Sequence, residues 1–235
     1  MTNNKIGIVG ITGDLGSQLA QMAQAANLEV LGCSLSLKNG LTINDLVDQC
    51  DIVHICAPIS VLGTLHQPHK SQVVLHDSVM NTSLQARSKY LSNSGAIVHM
   101  LMNQANTVIV ASESTEHAKI TKHLKQLGLH TQTMPIAEHD TIMARSQAPL
   151  AVLCQVLLPY LFEKQNSGLL TPSGELLAQT LHSRQLAWTD ETTRSILRNP
   201  ELSALIDDMQ QAIQAARKPH KPSVEKMRKK YGLYT

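Results

Sequence analysis

The sequence has no apolar run approaching the roughly 18 to 20 residues that a membrane-spanning helix needs. No membrane partner is therefore expected. It also lacks the charged, apolar and small-residue succession of a secretory signal. MTNNKIGIVG runs directly into a strand pattern, so a cytoplasmic location is expected. Charge of neither sign dominates: 20 Lys and Arg stand against 18 Asp and Glu, a net charge of +2, which leaves no nucleic-acid footprint. The late basic stretch RKPHKPSVEKMRKK reads as a solvated surface. Of the four cysteines, Cys33, Cys50, Cys56 and Cys154, none forms a C-x-x-C pair, which fits small core hydrophobes in a reducing compartment. The 11 histidines show no H-E-x-x-H or similar ligand set, and no metal is expected.

What is present is an ordinary globular balance, 43% hydrophobic and 16% charged over 235 residues. That length suffices for one large domain or two modest ones. The first half alternates short apolar runs with helical patterns. Lys5–Val9, Glu29–Ser34, Asp51–Ala57, Gln72–His76, Gly95–Val98, Thr107–Ala111 and His130–Thr133 read as strands. Asp14–Ala26 places Leu15, Leu19, Met22, Ala23 and Ala26 on one helical stripe. Thr42 followed by Asp45 resembles an N-cap with its acidic partner. Strand–helix alternation favours parallel pairing with right-handed crossovers, a doubly wound Rossmann-like α/β sheet. From Ala137 the β-branched runs vanish. Ala137–Glu163, with Pro149 and Pro159 kinking or dividing it, Ser173–Ala187, Glu191–Leu197, Glu201–Arg217 and a segment after Pro222 read as helices. The expected domains are residues 1–136, dinucleotide-binding, and 137–235, all-helical.

Gly10-Ile-Thr-Gly13-Asp14-Leu15-Gly16 lies between the first strand and the first helix. A tight turn and close backbone approach to a pyrophosphate need glycine there, and the helix N-terminus offers unpaired N–H groups. The spacing is G-x-x-G-x-x-G. The plain alternative is a glycine-rich turn that binds nothing. The acid that usually ends the second strand and binds the ribose 2′-hydroxyl is missing. Ser34, Ser36 and Lys38 stand there instead, groups that accept a 2′-phosphate, so NADP is expected over NAD. His54 falls inside a buried strand pattern and reads as a packed core residue. His139 and Asp140 are adjacent on a helix, where side chains diverge by about 100°. That divergence favours a structural role.

Several segments together resemble the prephenate/arogenate dehydrogenase family of tyrosine biosynthesis. They are IVGITGDLGSQLA, Cys56-Ala57-Pro58-Ile59-Ser60, His76-Asp77-Ser78-Val79, Ala96-Ile-Val-His99-Met100, Ala137-Glu138-His139-Asp140 with Gln147, and Val224–Gly232. The resemblance runs in order over nearly the whole chain. It implies an NADP- or NAD-dependent oxidoreductase that oxidatively decarboxylates prephenate or arogenate. It further implies that His99 accepts the substrate hydroxyl proton, with Ser78 orienting it, and that Ala57 and Pro58 contact the cofactor. Arg194 and Gln147 are then the residues that hold the substrate, a small carboxylate. A strand-end histidine titrating near the usual value of about 6.5 suits that work. The sequence departs from the family at three places: Met80 replaces a lysine, Pro149, Leu150 and Ala151 replace basic positions, and a glycine loop after His99 is missing. A dinucleotide-binding regulatory protein without the chemistry, or a dehydrogenase of another small acid, therefore stand as alternatives. Leu153, Val156, Leu157, Leu176 and Leu177 are many apolar positions for about 100 helical residues, and a homodimer through that half is expected.

Overall fold

The computed structural model describes residues 5–37, 41–66, 71–91, 95–101, 106–114, 116–166, 168, 170–187, 190–200 and 202–217. Lys38 and the stretch after Arg217, including the helix expected beyond Pro222, lie outside the described residues. Seven strands form one sheet: β1 Lys5–Val9, β2 Glu29–Cys33, β3 Ile52–Ile55, β4 Gln72–His76, β5 Ala96–Met100, β6 Thr107–Ala111 and β7 His130–Met134. Their spatial order is β2-β1-β3-β4-β5-β6-β7. All neighbours pair parallel except β5 with β6, which are antiparallel. The order reverses at β1, with β2 on one side and β3 on the other, and open α/β sheets bind ligands outside the carboxyl ends at such a point.

Both faces of the central strands are covered, which is why these strands read as continuous apolar runs. Helices α1 (Asp14–Ala25) and α4 (His117–Gln126) lie on one face. Their Leu19, Ala23, Ile120 and Leu124 pack on Ile6, Ile8, Val74 and Val98. Helices α2 (Ile43–Gln49) and α3 (Met80–Tyr90) lie on the other. There Leu46, Val47, Met80 and Ala86 meet Val53, Leu75 and Ile97. The Thr42–Asp45 pair is a true capping box: Asp45 N–H donates to Thr42 Oγ1, and Thr42 N–H donates to Asp45 Oδ2 at 2.7 Å. A short 3-10 helix, Ile59–Thr64, follows β3.

After Met134 the described chain is helical. The expected long helix is three: α5 Ile136–Ser146, α6 Ala148–Val156 and α7 Leu158–Asn166. The breaks fall at Gln147 and Leu157, two residues before Pro149 and Pro159, whose rings and missing N–H groups interrupt the helical ladder. Both junction residues keep right-handed helical backbone, so the chain bends there rather than turning back. Helices α8 (Pro172–Ala187) and α9 (Asp190–Leu197) complete this unit. Cys154, Leu158 and Leu181 form a small core between α6, α7 and α8. By compactness the chain divides into Met1–Asn199 and Pro200–Thr235; the second unit contains α10, Leu202–Arg217. The sheet ends at Met134, and the compact units divide after Asn199. Among the described residues, no helix is long and apolar enough to cross a membrane.

Candidate active site

The phosphate-loop candidate sits at the switch point. Gly10 has a φ of +83°, which favours glycine, and a Cβ there would lie 2.6 Å from the Cys56 carbonyl at the end of β3. A Cβ on Gly16 would run into the Gly10 carbonyl, so α1 leaves the loop too closely for any side chain. Gly13, the N-cap of α1, is exposed and its helix starts without a side-chain cap. The first N–H groups of α1 are thus left to solvent or a ligand. Asp14 is exposed in the first turn, Leu15 is half-buried, and Ala57 and Pro58 follow β3 along the same edge. This turn, which admits no Cβ at Gly10 or Gly16, fits a dinucleotide pyrophosphate.

Beyond β2, Ser34 and Ser36 come together with a residue that sequence reasoning missed. Thr12 Oγ1 donates to Ser34 Oγ at 3.0 Å and lies 2.8 Å from Ser36 Oγ. The two serine hydroxyls are 3.2 Å apart. The result is a small exposed triangle of hydroxyls beside the glycine loop, with no carboxylate hydrogen-bonded to any of the three among the described residues.

The second cluster gathers at the carboxyl ends of β4 and β5. His99 points from β5 to the α3 side and is buried. Its Nδ1 lies 3.0 Å from His139 Nε2, and His139 Nδ1 lies 2.8 Å from Asp140 Oδ1. Asp140 also accepts from the backbone N–H groups of Met80 and Asn81, each at 2.9 Å, at the start of α3. Asn199 Nδ2 donates to the Asp140 carbonyl at 2.9 Å, tying the end of α9 to α5. The divergence of adjacent helical side chains does not keep His139 and Asp140 apart, because the imidazole turns back onto its neighbour's carboxylate.

With both imidazoles neutral, the chain of bonds fixes the protons. A carboxylate only accepts, so His139 carries its hydrogen on Nδ1 and presents a bare Nε2. His99 must then donate from Nδ1, which leaves the lone pair on its Nε2. That is the ring state of a proton acceptor. Burial, followed by neighbouring His139 and His76, lowers the His99 pKa to about 3, with Asp140 working the other way. The expectation of titration near 6.5 is corrected accordingly: an imidazole sealed inside the fold resists charging.

Asp77 lies one residue beyond β4, and burial raises its pKa to about 6 despite bonds from Val79 N–H and Ser83 Oγ, each at 3.1 Å. Ser78 is half-buried in the loop that Asp77 and Asp140 hold from both ends. Met80 is fully buried in the core, so no cation is supplied from that position. Gln147 is half-buried at the α5–α6 junction, and Arg194 is exposed on α9. No contact brings Arg194 or Gln147 to His99 among the described residues.

No protein-family model matches this chain, and no curated protein sequence matches it. Solved structures do. The fold is the Rossmann-like fold of dinucleotide-dependent dehydrogenases. Prephenate dehydrogenase from A. aeolicus, in complex with hydroxyphenyl propionate and NAD+, is similar at 13% identity over 92% of this chain and 90% of that one, with a TM-score of 0.67. Arogenate dehydrogenase from Synechocystis is similar at 15% identity over 97% of each chain, with a TM-score of 0.66. A putative prephenate dehydrogenase from Corynebacterium glutamicum is similar at 15% identity over 97% of this chain and 85% of that one, with a TM-score of 0.72.

Proposed function

We propose that this chain is a nicotinamide-dinucleotide-dependent dehydrogenase of the prephenate/arogenate type. The observation that carries the reading is the His99–His139–Asp140 chain, which holds a neutral base at the carboxyl end of β5. The glycine cradle at β1 supports it as the seat of the cofactor, which when bound supplies the hydride acceptor. His99 Nε2 takes the substrate hydroxyl proton, and His139 and Asp140 hold the ring in the accepting state while charge develops. Ser78 orients the hydroxyl. Arg194 and Gln147 hold substrate carboxylates. The hydroxyl triangle of Thr12, Ser34 and Ser36 receives a 2′-phosphate, which favours NADP over NAD.

Catalysis has a second reading with a specific observation behind it. Met80 is buried in the core and the site carries Asp77 and Asp140, an acidic surround for a substrate with two carboxylates. A dinucleotide-binding regulator without turnover fits that surround. The decisive assay follows reduced-nicotinamide absorbance with prephenate and with arogenate, each with NADP+ and NAD+. Turnover with either acid supports the dehydrogenase. Dinucleotide binding without turnover supports the regulator. A second copy of the chain is the proposed partner, because Val156, Tyr160, Leu176 and Leu177 stand exposed on α6, α7 and α8 while Leu153 and Leu157 pack inward.

A further inference from the structure

The sheet ends on β7, at the opposite edge from β2, and no strand among the described residues pairs its outer side. The ladder to β6 runs one residue to one, from Thr107 opposite His130 to Ala111 opposite Met134. His130 N–H donates to the Asn106 carbonyl, and the Met134 carbonyl accepts from Ser112 N–H. Alternation along the strand then turns His130, Gln132 and Met134 toward β6 and leaves the N–H and C=O of Thr131 and Thr133 facing outward. Gln132 and Thr133 are exposed, and Thr131 is half-buried. Edge strands are ordinarily blunted by charged side chains, proline or a bulge. His-Thr-Gln-Thr-Met has no lysine, acid or proline, and its one-to-one register contains no bulge.

Helix α4 packs beside this edge. Its inner face is occupied: Ile120 and Leu124 pack on the sheet. There His123 Nε2 lies 3.0 Å from Nε2 of His54 on β3, whose Nδ1 lies 2.9 Å from His76 Nε2. Toward β7, His117 Nε2 lies 3.0 Å from Thr133 Oγ1, which places the Thr131 and Thr133 side chains on the α4 side. His117, Thr121, Lys122 and Lys125 line an open groove of about 610 Å³ along the helix. Lys119, Lys122 and Lys125 are exposed, and no carboxylate pairs with them among the described residues. From residue 117 to 137 the sequence contains three lysines, three histidines and no acid. An edge of unpaired backbone groups thus lies against a surface of one charge.

We propose that the outer edge of β7 receives an extended acidic segment of a partner protein as an eighth strand. The outward groups of Thr131 and Thr133 pair with its backbone, and its alternate side chains face α4. Carboxylates at those alternate positions meet the lysines. A second copy of this chain is the poorer occupant. Antiparallel pairing of β7 with β7 about a two-fold axis sets two α4 lysine rows on the same face, where like charges repel. A nucleic acid has no peptide backbone to continue the ladder. The proposal does not depend on the dinucleotide site.

The test uses the full chain, labelled with nitrogen-15, and a short capped peptide of alternating glutamate and valine. One control peptide carries lysine in place of glutamate. The other is N-methylated throughout, which keeps the charge and removes every N–H. The glutamate peptide is expected to shift the amide signals of Thr131 and Thr133 and to slow their hydrogen exchange, while neither control does so. Lys122→Glu with Lys125→Glu, two exposed positions, is expected to weaken that binding about tenfold, the scale of two surface ion pairs turned repulsive. Absence of any response at Thr131 and Thr133 with millimolar glutamate peptide overturns the proposal, as does an equal response to either control. Protection of both amides that grows with protein concentration alone assigns the edge to a second copy and overturns it too. An equal shift of both amides by an oligonucleotide assigns the surface to nucleic acid, with the same consequence.

Discussion

The two faces of the sheet carry two histidine chains of the same chemistry and opposite character. On the α3 side, His99 and His139 end on Asp140, whose oxygens also hold the Met80 and Asn81 N–H groups. On the α4 side, His76, His54 and His123 end on nothing charged, and both terminal nitrogens are unpartnered among the described residues. One carboxylate makes the difference. It gives the first chain a fixed direction, which between neutral rings leaves the lone pair of His99 on Nε2. Its absence leaves the second with two compatible directions. Within one fold, a carboxylate decides whether a buried chain of neutral imidazoles has one direction or two.

The comparison breaks most sharply at Asp140. Asp140→Asn keeps the shape but places an N–H where an acceptor stood, so a buried donor loses its partner at about 1 to 3 kcal/mol. The His99 ring state is then no longer dictated. With turnover established, kcat is expected to fall by as much as about 10⁴-fold, the scale of holding a catalytic histidine in the wrong tautomer, with dinucleotide affinity kept. Steady-state kinetics and calorimetry check this, and retention of a tenth of kcat speaks against the relay.

The α4 chain should respond to substitution differently. His54→Leu alone orphans two buried nitrogens, at about 1 to 3 kcal/mol each. Replacing His54, His76 and His123 together by Leu removes every partner at once and should be nearly neutral in urea unfolding at pH 8. Acid sharpens the contrast. Burial depresses the folded-state pKa of His54, takes His76 to about 3, and takes His123 to about 4. The unfolded chain binds protons first, so their contribution is complete above about pH 6.5 and is lost as pH falls, by up to about 1.4 kcal/mol per pH unit for each ring. Asp77, raised to about 6 by burial, acts oppositely: its contribution is present below the unfolded carboxyl value and is lost as pH rises through about 6. The triple variant should unfold at lower pH than the wild type. An unchanged acid midpoint contradicts the buried, neutral state of these rings.

The smallest expected effect lies in the hydroxyl triangle. Ser36→Ala removes one donor for a 2′-phosphate and should narrow the preference for NADP over NAD by about 0.5 to 1.5 kcal/mol. Equal affinities of the wild type for the two cofactors contradict the 2′-phosphate reading.

Local features were the legible ones. The glycine loop after Lys5–Val9, the Thr42–Asp45 box and the two proline breaks were readable because each is set within a few residues. His99 was readable as a strand-end histidine, and His54 as a buried one. Their partners were not, since His54 meets residues 22 and 69 positions away and His99 meets one 40 away. Thr12 gave no signal either, because only the return of β2 beside β1 brings it to Ser34. The His99 pKa depends on burial, which no motif encodes.

The most direct test is the ring state of His99 at pH 7, read by nitrogen-15 NMR in the wild-type protein. The expected result is hydrogen on Nδ1 and a bare Nε2 for His99, with His139 likewise protonated on Nδ1. A His99 that carries its hydrogen on Nε2 contradicts the claim that Asp140, through His139, prepares it as a base.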